Sequence, residues 1–264
     1  MRAGDRNMND ELEKIRKYWN FRAEGFNDSD IPSEKTNAFL RGLKERGMLC
    51  GGRSIDIGCG TGSYTAALAE YFDFVLGVDI SDEMIAYARK RKADNAIKNI
   101  GFRLGSWQEA DIAQNGWEKS FDLTVAHMSP AVDSVETLEK MRSVSKKFCA
   151  VTKTVSRKSP IRGRVAEICG LKEDNCGRRE MLAILDYLWQ NGITPEIFYE
   201  KEVWTSELTT ERAAEGYIRT LSLDGGIKDG AVEEIKRYFE SIAENGMIRE
   251  NTDVIICTMY WSEK

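Results

Sequence analysis

Ile55-Asp56-Ile57-Gly58-Cys59-Gly60-Thr61-Gly62 is the stretch on which the fold turns. β-Branched residues around a carboxylate read as the end of a strand. Three glycines follow at alternate positions, and a helical pattern begins at Ser63. Glycine takes positive φ without steric cost and carries no Cβ, so the chain turns sharply and a ligand can approach bare backbone. Such a turn at the carboxyl end of a strand is where open α/β sheets bind nucleotide-like ligands.

The next apolar run, Phe74-Val75-Leu76-Gly77-Val78, delivers Asp79. A carboxylate about 20 residues beyond the glycines suits the hydroxyls of a ribose. A G-x-G turn also opens dinucleotide-binding domains, and Asp79 would serve either ligand. The spacing separates the two, because a dinucleotide fingerprint places its third glycine one residue later.

With Asp56 ahead of it, D-I-G-C-G-T-G (residues 56–62) closely resembles the first motif of class I S-adenosylmethionine-dependent methyltransferases. The resemblance covers roughly residues 50–155 by motif and the remainder by element order. It implies S-adenosylmethionine as cofactor, S-adenosylhomocysteine as product, and a small-molecule acceptor. The implied cofactor residues are Asp56, Gly58, Cys59, Gly60 and Gly62 in the first loop, then Asp79 on the ribose with Ile80 against the adenine. After the third strand, relatives usually place an acidic residue on the adenine amino group; this chain has Ser106, followed by Trp107, which could stack on the adenine or simply pack. His127, at the end of the fourth strand, would face the methyl group. It is the sole histidine, so any imidazole base is this one, and a buried structural histidine is the competing reading.

Ahead of the core, Trp19-Asn20-Phe21-Arg22-Ala23-Glu24-Gly25-Phe26 resembles the W-x-x-R-A-x-x-Y/F segment of small-molecule members of that family. There the segment covers the cofactor, so Tyr18, Trp19, Arg22 and Phe26 are candidate lid and substrate residues. Phe26 stands where many relatives have tyrosine, keeping the ring and losing the hydroxyl.

Outward from the motif, strands at 53–57, 74–79, 100–104, 121–127 and 147–154 alternate with helices at 63–72, 82–93 and 133–146. Ser81 reads as a helix cap, with Asp82 and Glu83 suiting the positive end of the dipole. Such alternation implies a Rossmann-like, doubly wound, mostly parallel α/β sheet covered on both faces. Near the N-terminus, a helix capped by Asp10 with Glu13 as its reciprocal partner carries Leu12, Ile15, Trp19, Arg22 and Phe26, and a second helix spans 34–46. In the last third, a helix at 178–190 places Met181, Leu185 and Leu188 on one side. A half-buried strand at 196–207 follows, then helices near 209–221 and 230–244 and a final strand at 254–261. The family plan makes that the seventh strand, inserted antiparallel beside its predecessor. The expected organisation is a single domain over 1–264: a helical lid to residue 47, a cofactor core over 48–155, and a substrate-side half over 156–264 with inserted helices at 209–244.

Composition narrows the classes. Hydrophobic residues make up 42% and charged residues 31% of the 264, an ordinary soluble balance. No stretch approaches the roughly 20 apolar residues that span a bilayer, and the first residues lack the apolar run of a secretory signal. Six cysteines without C-x-x-C pairs or clustered histidines point to reduced thiols in the cytoplasm and no metal site. A net charge of −5 argues against a general nucleic-acid binder. Arg157, Lys158, Arg162 and Arg164 form a basic cluster, read as a charged loop that could meet an anionic acceptor. A nicotinamide-dependent oxidoreductase and a non-catalytic nucleoside-binding protein are the alternative functions; oligomeric state is left open.

Overall fold

The computed structural model describes residues 3–27, 30–171, 176–223, 227–228 and 230–263. Helices α1 (Ala3–Arg22), α2 (Glu24–Asn27) and α3 (Ala38–Glu45) precede β1 (Arg53–Ile57). Then come α4 (Ser63–Leu68), β2 (Phe74–Asp79), α5 (Asp82–Asp94), β3 (Ile100–Leu104), β4 (Phe121–His127), α6 (Val135–Val144) and β5 (Ser145–Lys158). The chain continues through α7 (Pro160–Cys169), α8 (Cys176–Gln190), β6 (Glu196–Thr209), α9 (Thr210–Leu223), α10 (Ala231–Ile242) and β7 (Met247–Ser262).

The strands form one mixed sheet in the order β3-β2-β1-β4-β5-β7-β6. The pairs β1–β2, β1–β4, β2–β3 and β4–β5 are parallel. β7 runs against its neighbours. The Glu263 N–H donates to Lys147 O at 2.7 Å, and the Thr152 and Thr258 hydroxyls meet at 2.9 Å. Five residues forward along β5 are thus five residues back along β7. On the other side, Thr205 meets Asn251 and Glu207 meets Arg249, again with opposed numbering. The expected antiparallel seventh strand is present. The winding reverses between β1 and β4, so their carboxyl ends border the crevice in which open α/β sheets hold ligands.

Two compact units partition the chain. The first comprises residues 1–153, 179–199 and 257–264. Its core includes Phe39, Leu40 and Leu43 of α3, Leu68 of α4, and Val75, Ile100, Leu123, Val125, Ala150 and Tyr260 from the strands. Burial runs unbroken along β4 from Phe121 to Ala126, as a strand covered on both faces requires. α5 begins as its sequence predicts: the Ser81 hydroxyl accepts from Met84 N, Asp82 and Glu83 occupy the first turn, and Arg91 and Lys92 the last. The second unit comprises residues 154–178 and 200–256, and its core joins Ile161 and Val165 of α7 to Ala213, Ala214, Ile235, Phe239 and Ile248.

Several boundaries differ from expectation. α1 begins at Ala3, so Asp10 lies within the helix and does not cap it. Glu13 instead reaches Arg16 at 3.3 Å and Lys17 at 3.8 Å. α3 starts only at Ala38, where the Asn37 side chain accepts from Leu40 N. The supposed basic loop is the end of β5, which carries Arg157 and Lys158, followed directly by a helix. Ser159 caps α7 through Arg162 N, and Pro160 fills the first turn, where its missing N–H costs nothing. Arg162 and Arg164 therefore ride on α7. β6 is not half-buried: it closes the sheet at an edge, and nearly all of it is exposed, Val203 by 62%. Its alternation encodes a strand but not whether a layer covers it.

Candidate active site

The three loop glycines all have positive φ: 71° at Gly58, 53° at Gly60 and 77° at Gly62. Their surroundings differ. A Cβ on Gly58 would stand 1.8 Å from Ser129 Oγ, and one on Gly62 would meet Phe102 at 2.9 Å and Ala88 at 3.0 Å. Packing explains both. At Gly60 the nearest atom to such a Cβ is Met84 Sδ, at 3.8 Å, so that backbone stays open for a ligand. The N–H groups of Gly58 and Cys59 donate to Val78 O at 2.7 and 3.1 Å, fixing the loop to β2.

Asp79, at the end of β2, organises the crevice. Its Oδ2 accepts from Gly60 N and its Oδ1 from Ser81 N, both at 2.9 Å. Burial nevertheless raises its pKa against these bonds, as expected of a desolvated carboxylate with acceptor capacity to spare. Asp56 is 2% exposed and accepts from the Thr65 hydroxyl at 2.7 Å. Burial, with a contribution from the Asp79 charge and against the Thr65 bond, pushes its pKa to about 7. Thus Asp79, rather than Asp56, takes a glycine-loop amide, while Asp56 is tied to α4. Ile80 follows half-buried.

The N-terminal segment lies against this crevice. Asn20 donates to Asp82 Oδ1 at 3.0 Å and accepts from the Ser81 hydroxyl at 2.6 Å. The Thr61 hydroxyl donates to Phe26 O at 3.1 Å, and Arg91 Nε to Thr61 O at 2.9 Å. Tyr18 and Trp19 pack edge to face at 5.2 Å, with Trp19 and Phe26 tilted at 6.4 Å. Arg22 donates to the Tyr18 hydroxyl at 3.0 Å and lies over the Phe26 ring. The four lid candidates therefore form one aromatic and cationic cluster beside the glycine loop.

After β3 the candidates part company. Ser106 donates to Gln108 Oε1 at 2.8 Å. Trp107 is 2% exposed, donates to Thr137 O at 3.0 Å and stacks on Trp117. Its indole is committed to packing against Trp117 and under α6. At the end of β4, the half-buried His127 ring sits 3.9 Å from Tyr64 and 4.4 Å from Phe39, centroid to centroid. Loss of solvent holds its pKa near 3, well below the usual 6.5, so the ring is neutral at pH 7.

Open glycine backbone, a half-buried carboxylate on the next strand and a helix latched to the adjoining Ser81 and Asp82 make a site for a nucleoside-bearing ligand. A family model described as a methyltransferase domain matches residues 50–204, more than half of the chain. The chain belongs to this methyltransferase family. Among its curated relatives, the tRNA/tmRNA (uracil-C(5))-methyltransferase of Colwellia psychrerythraea is 32% identical over 109 residues, 36% of this chain and 30% of that protein. The magnesium-protoporphyrin O-methyltransferase of Rhodobacter capsulatus is 30% identical over 89 residues, 34% of this chain and 40% of that protein. The chain thus spans less than half the length of either. In fold, it resembles the magnesium protoporphyrin IX methyltransferase of Synechocystis PCC 6803, solved with bound S-adenosylhomocysteine. The TM-score is 0.55 at 15% identity, over 96% of this chain and 100% of that one.

Thr65, Asn20 and Ser129 touch the candidate site residues and were passed over by motif reading. Thr65 had a faint signal, as the first polar position inside α4 able to face Asp56. Asn20 and Ser129 had none, because the residues that tie them to the crevice, Ser81 and Gly58, lie 61 or more residues away.

Proposed function

We propose that the protein transfers the methyl group of S-adenosylmethionine to a small-molecule acceptor. The single observation that carries this reading is the pairing of Gly60 with Asp79. The one loop glycine with open space beside it is anchored by the carboxylate suited to a ribose. When bound, the cofactor supplies a methyl group on a positively charged sulfur, which leaves as a neutral thioether.

The protein's share is then placement and exclusion of water. Asp79 accepts from the ribose hydroxyls, Gly60 lets the chain close on the ligand, and the buried Asp56 faces its ammonium. Ile80 packs on the adenine. Trp107 acts from beneath by docking the β3–β4 connection on α6. The segment carrying Tyr18, Trp19, Arg22 and Phe26 covers the crevice. His127 contributes a neutral wall, packed at a tilt against Tyr64 and Phe39, at the methyl position; an imidazole whose pKa lies near 3 holds a transferred proton weakly.

Two relatives bear on the acceptor. The Colwellia enzyme is named for an RNA substrate and the Rhodobacter enzyme for a tetrapyrrole. A net charge of −5 favours a small molecule over a polyanion. Calorimetric titration with S-adenosylmethionine, S-adenosylhomocysteine and NAD tests the cofactor, and tighter binding of NAD would overturn the reading. Transfer of a labelled methyl group, scored separately in RNA and in small-molecule extract, tests the acceptor.

A further inference from the structure

We propose that Lys153, held by Glu180, is an anion-binding residue of the acceptor site, and that the acceptor carries an anionic oxygen which accepts a hydrogen bond from the ammonium's remaining N–H. The proposal rests on the methyl-transfer reading above and narrows its substrate class.

Of the lysines on β5, Lys146, Lys147 and Lys158 are exposed, whereas Lys153 is 5% exposed. It directly follows Thr152, which lies opposite His127 on β4, so it stands at the carboxyl edge of the sheet. Its Nζ donates to Ser129 O at 3.1 Å and pairs with Glu180 of α8. Ser129 also presses its hydroxyl against Gly58. The ammonium and the glycine loop therefore touch opposite ends of one residue.

An ammonium has three protons, and among the described residues Lys153 has these two acceptors. Burying an ion pair is a poor route to stability, since an apolar pair of the same volume is commonly as stable or more so. The adjoining α8 residues Met181 and Ile184 are buried and apolar, so an apolar pair was available at this point. A desolvated cation with an unused proton, one residue from the cofactor loop, is the arrangement that recognises a carboxylate or phosphate oxygen. Glu180 keeps the charge balanced until that oxygen arrives.

The test uses the full chain carrying 15N-labelled lysine and saturated with S-adenosylhomocysteine, titrated with acetate, acetamide and chloride. Lys153→Arg identifies the Lys153 Nζ resonance by its disappearance. A saturable shift with acetate, at least fivefold larger than with acetamide or chloride, is expected. No shift with acetate, or an equal one with chloride, overturns the proposal. Calorimetry with S-adenosylhomocysteine on Lys153→Arg and Lys153→Met distinguishes the source of the oxygen. Affinity within about threefold of the parent supports an acceptor role, whereas a loss of tenfold or more in a folded variant assigns Lys153 to the cofactor's own carboxylate and overturns the proposal. Should Lys153→Met not fold, the arginine variant and the acetate titration still decide. Failure of the parent protein to bind S-adenosylhomocysteine at all would instead remove the methyl-transfer reading.

Discussion

The Ser81 hydroxyl donates to the Asn20 side-chain oxygen at 2.6 Å, joining α1 to the residue that caps α5. Ser81 also donates its backbone N–H to Asp79 Oδ1 and accepts from Met84 N. Asp79, Ser81 and Asn20 are thus one hydrogen-bonded chain from the proposed ribose carboxylate to the N-terminal helix. Ordering Asp79 around a ligand steadies Ser81, and with it the latch. Residues 10–26 are therefore expected to gain hydrogen-exchange protection when S-adenosylhomocysteine binds. Asn20→Ala is expected to abolish that gain while the amides of β1 and β4 keep theirs. Equal protection with and without ligand would leave α1 as a structural appendage.

The glycine loop offers a second separation. Gly58→Ala places a methyl group on Ser129, and Gly60→Ala places one in open space. Both put alanine at positive φ, at a strain of about 1–2 kcal/mol. Gly58→Ala is expected to lower the melting temperature well beyond that strain. Gly60→Ala is expected to melt within a few degrees of the parent but to bind S-adenosylhomocysteine at least about tenfold more weakly, because its methyl group occupies the approach path. Thermal melts and calorimetry on the two variants check this, and a Gly60→Ala protein of normal affinity would place the ligand elsewhere.

Much of this architecture was legible because the deciding features are local. The positive-φ turn at glycines 58, 60 and 62 and the Ser81 cap are set within a few residues, Asp79 follows at the spacing expected after such a turn, and β1, β2, β3 and β4 came out with the expected boundaries. What escaped depends on distant partners. Trp107 reads equally well as a stacking platform or as packing until Thr137 and Trp117 appear around it. Lys153 reads as one more strand lysine until α8 brings Glu180 to it. α7 was legible in principle: Ser159-Pro160 is a helix-start signal, outweighed by the density of basic residues. The exposure of β6 could not be read, since period-two alternation is the same whether or not a helix layer arrives.

Asp56 and His127 are expected to oppose each other in the pH dependence of stability. The Asp56 pKa is raised from 3.8 to about 7 in the fold. Its contribution is complete below about pH 4 and disappears as pH rises through 7. His127 is lowered from 6.5 to about 3, so its contribution is present above about pH 6.5 and lost as pH falls toward 3. Each slope approaches about 1.4 kcal/mol per pH unit where one proton separates the states, and between about pH 4 and 6.5 they largely cancel. Urea midpoints for Asp56→Asn should therefore rise with pH across that window. Those for His127→Phe, which keeps a ring between Tyr64 and Phe39, should fall. Variants that both follow the parent curve would refute the two titrations.

Asp79 is expected to be the residue whose loss costs the cofactor most. Its carboxylate holds Gly60 N and Ser81 N on one side, and in the proposed function it has a second task, offering its remaining lone pairs to ribose hydroxyls. Hydrogen bonds to a charged group contribute about 1.5–3 kcal/mol each, so losing two ribose bonds corresponds to at least about 100-fold in affinity. Asp79→Ala removes both tasks, and its effect includes a loosened loop. Asp79→Asn keeps a carbonyl oxygen for one backbone amide but replaces the other acceptor with a donor and removes the charge. Comparing the two separates anchoring from recognition: the asparagine variant should melt closer to the parent than the alanine variant, yet bind S-adenosylhomocysteine nearly as poorly. Calorimetry and thermal melts on both variants measure this. Affinity within threefold of the parent in either would take Asp79 out of the ribose contact, and would leave Gly60 without a reason to be the one open glycine of the loop.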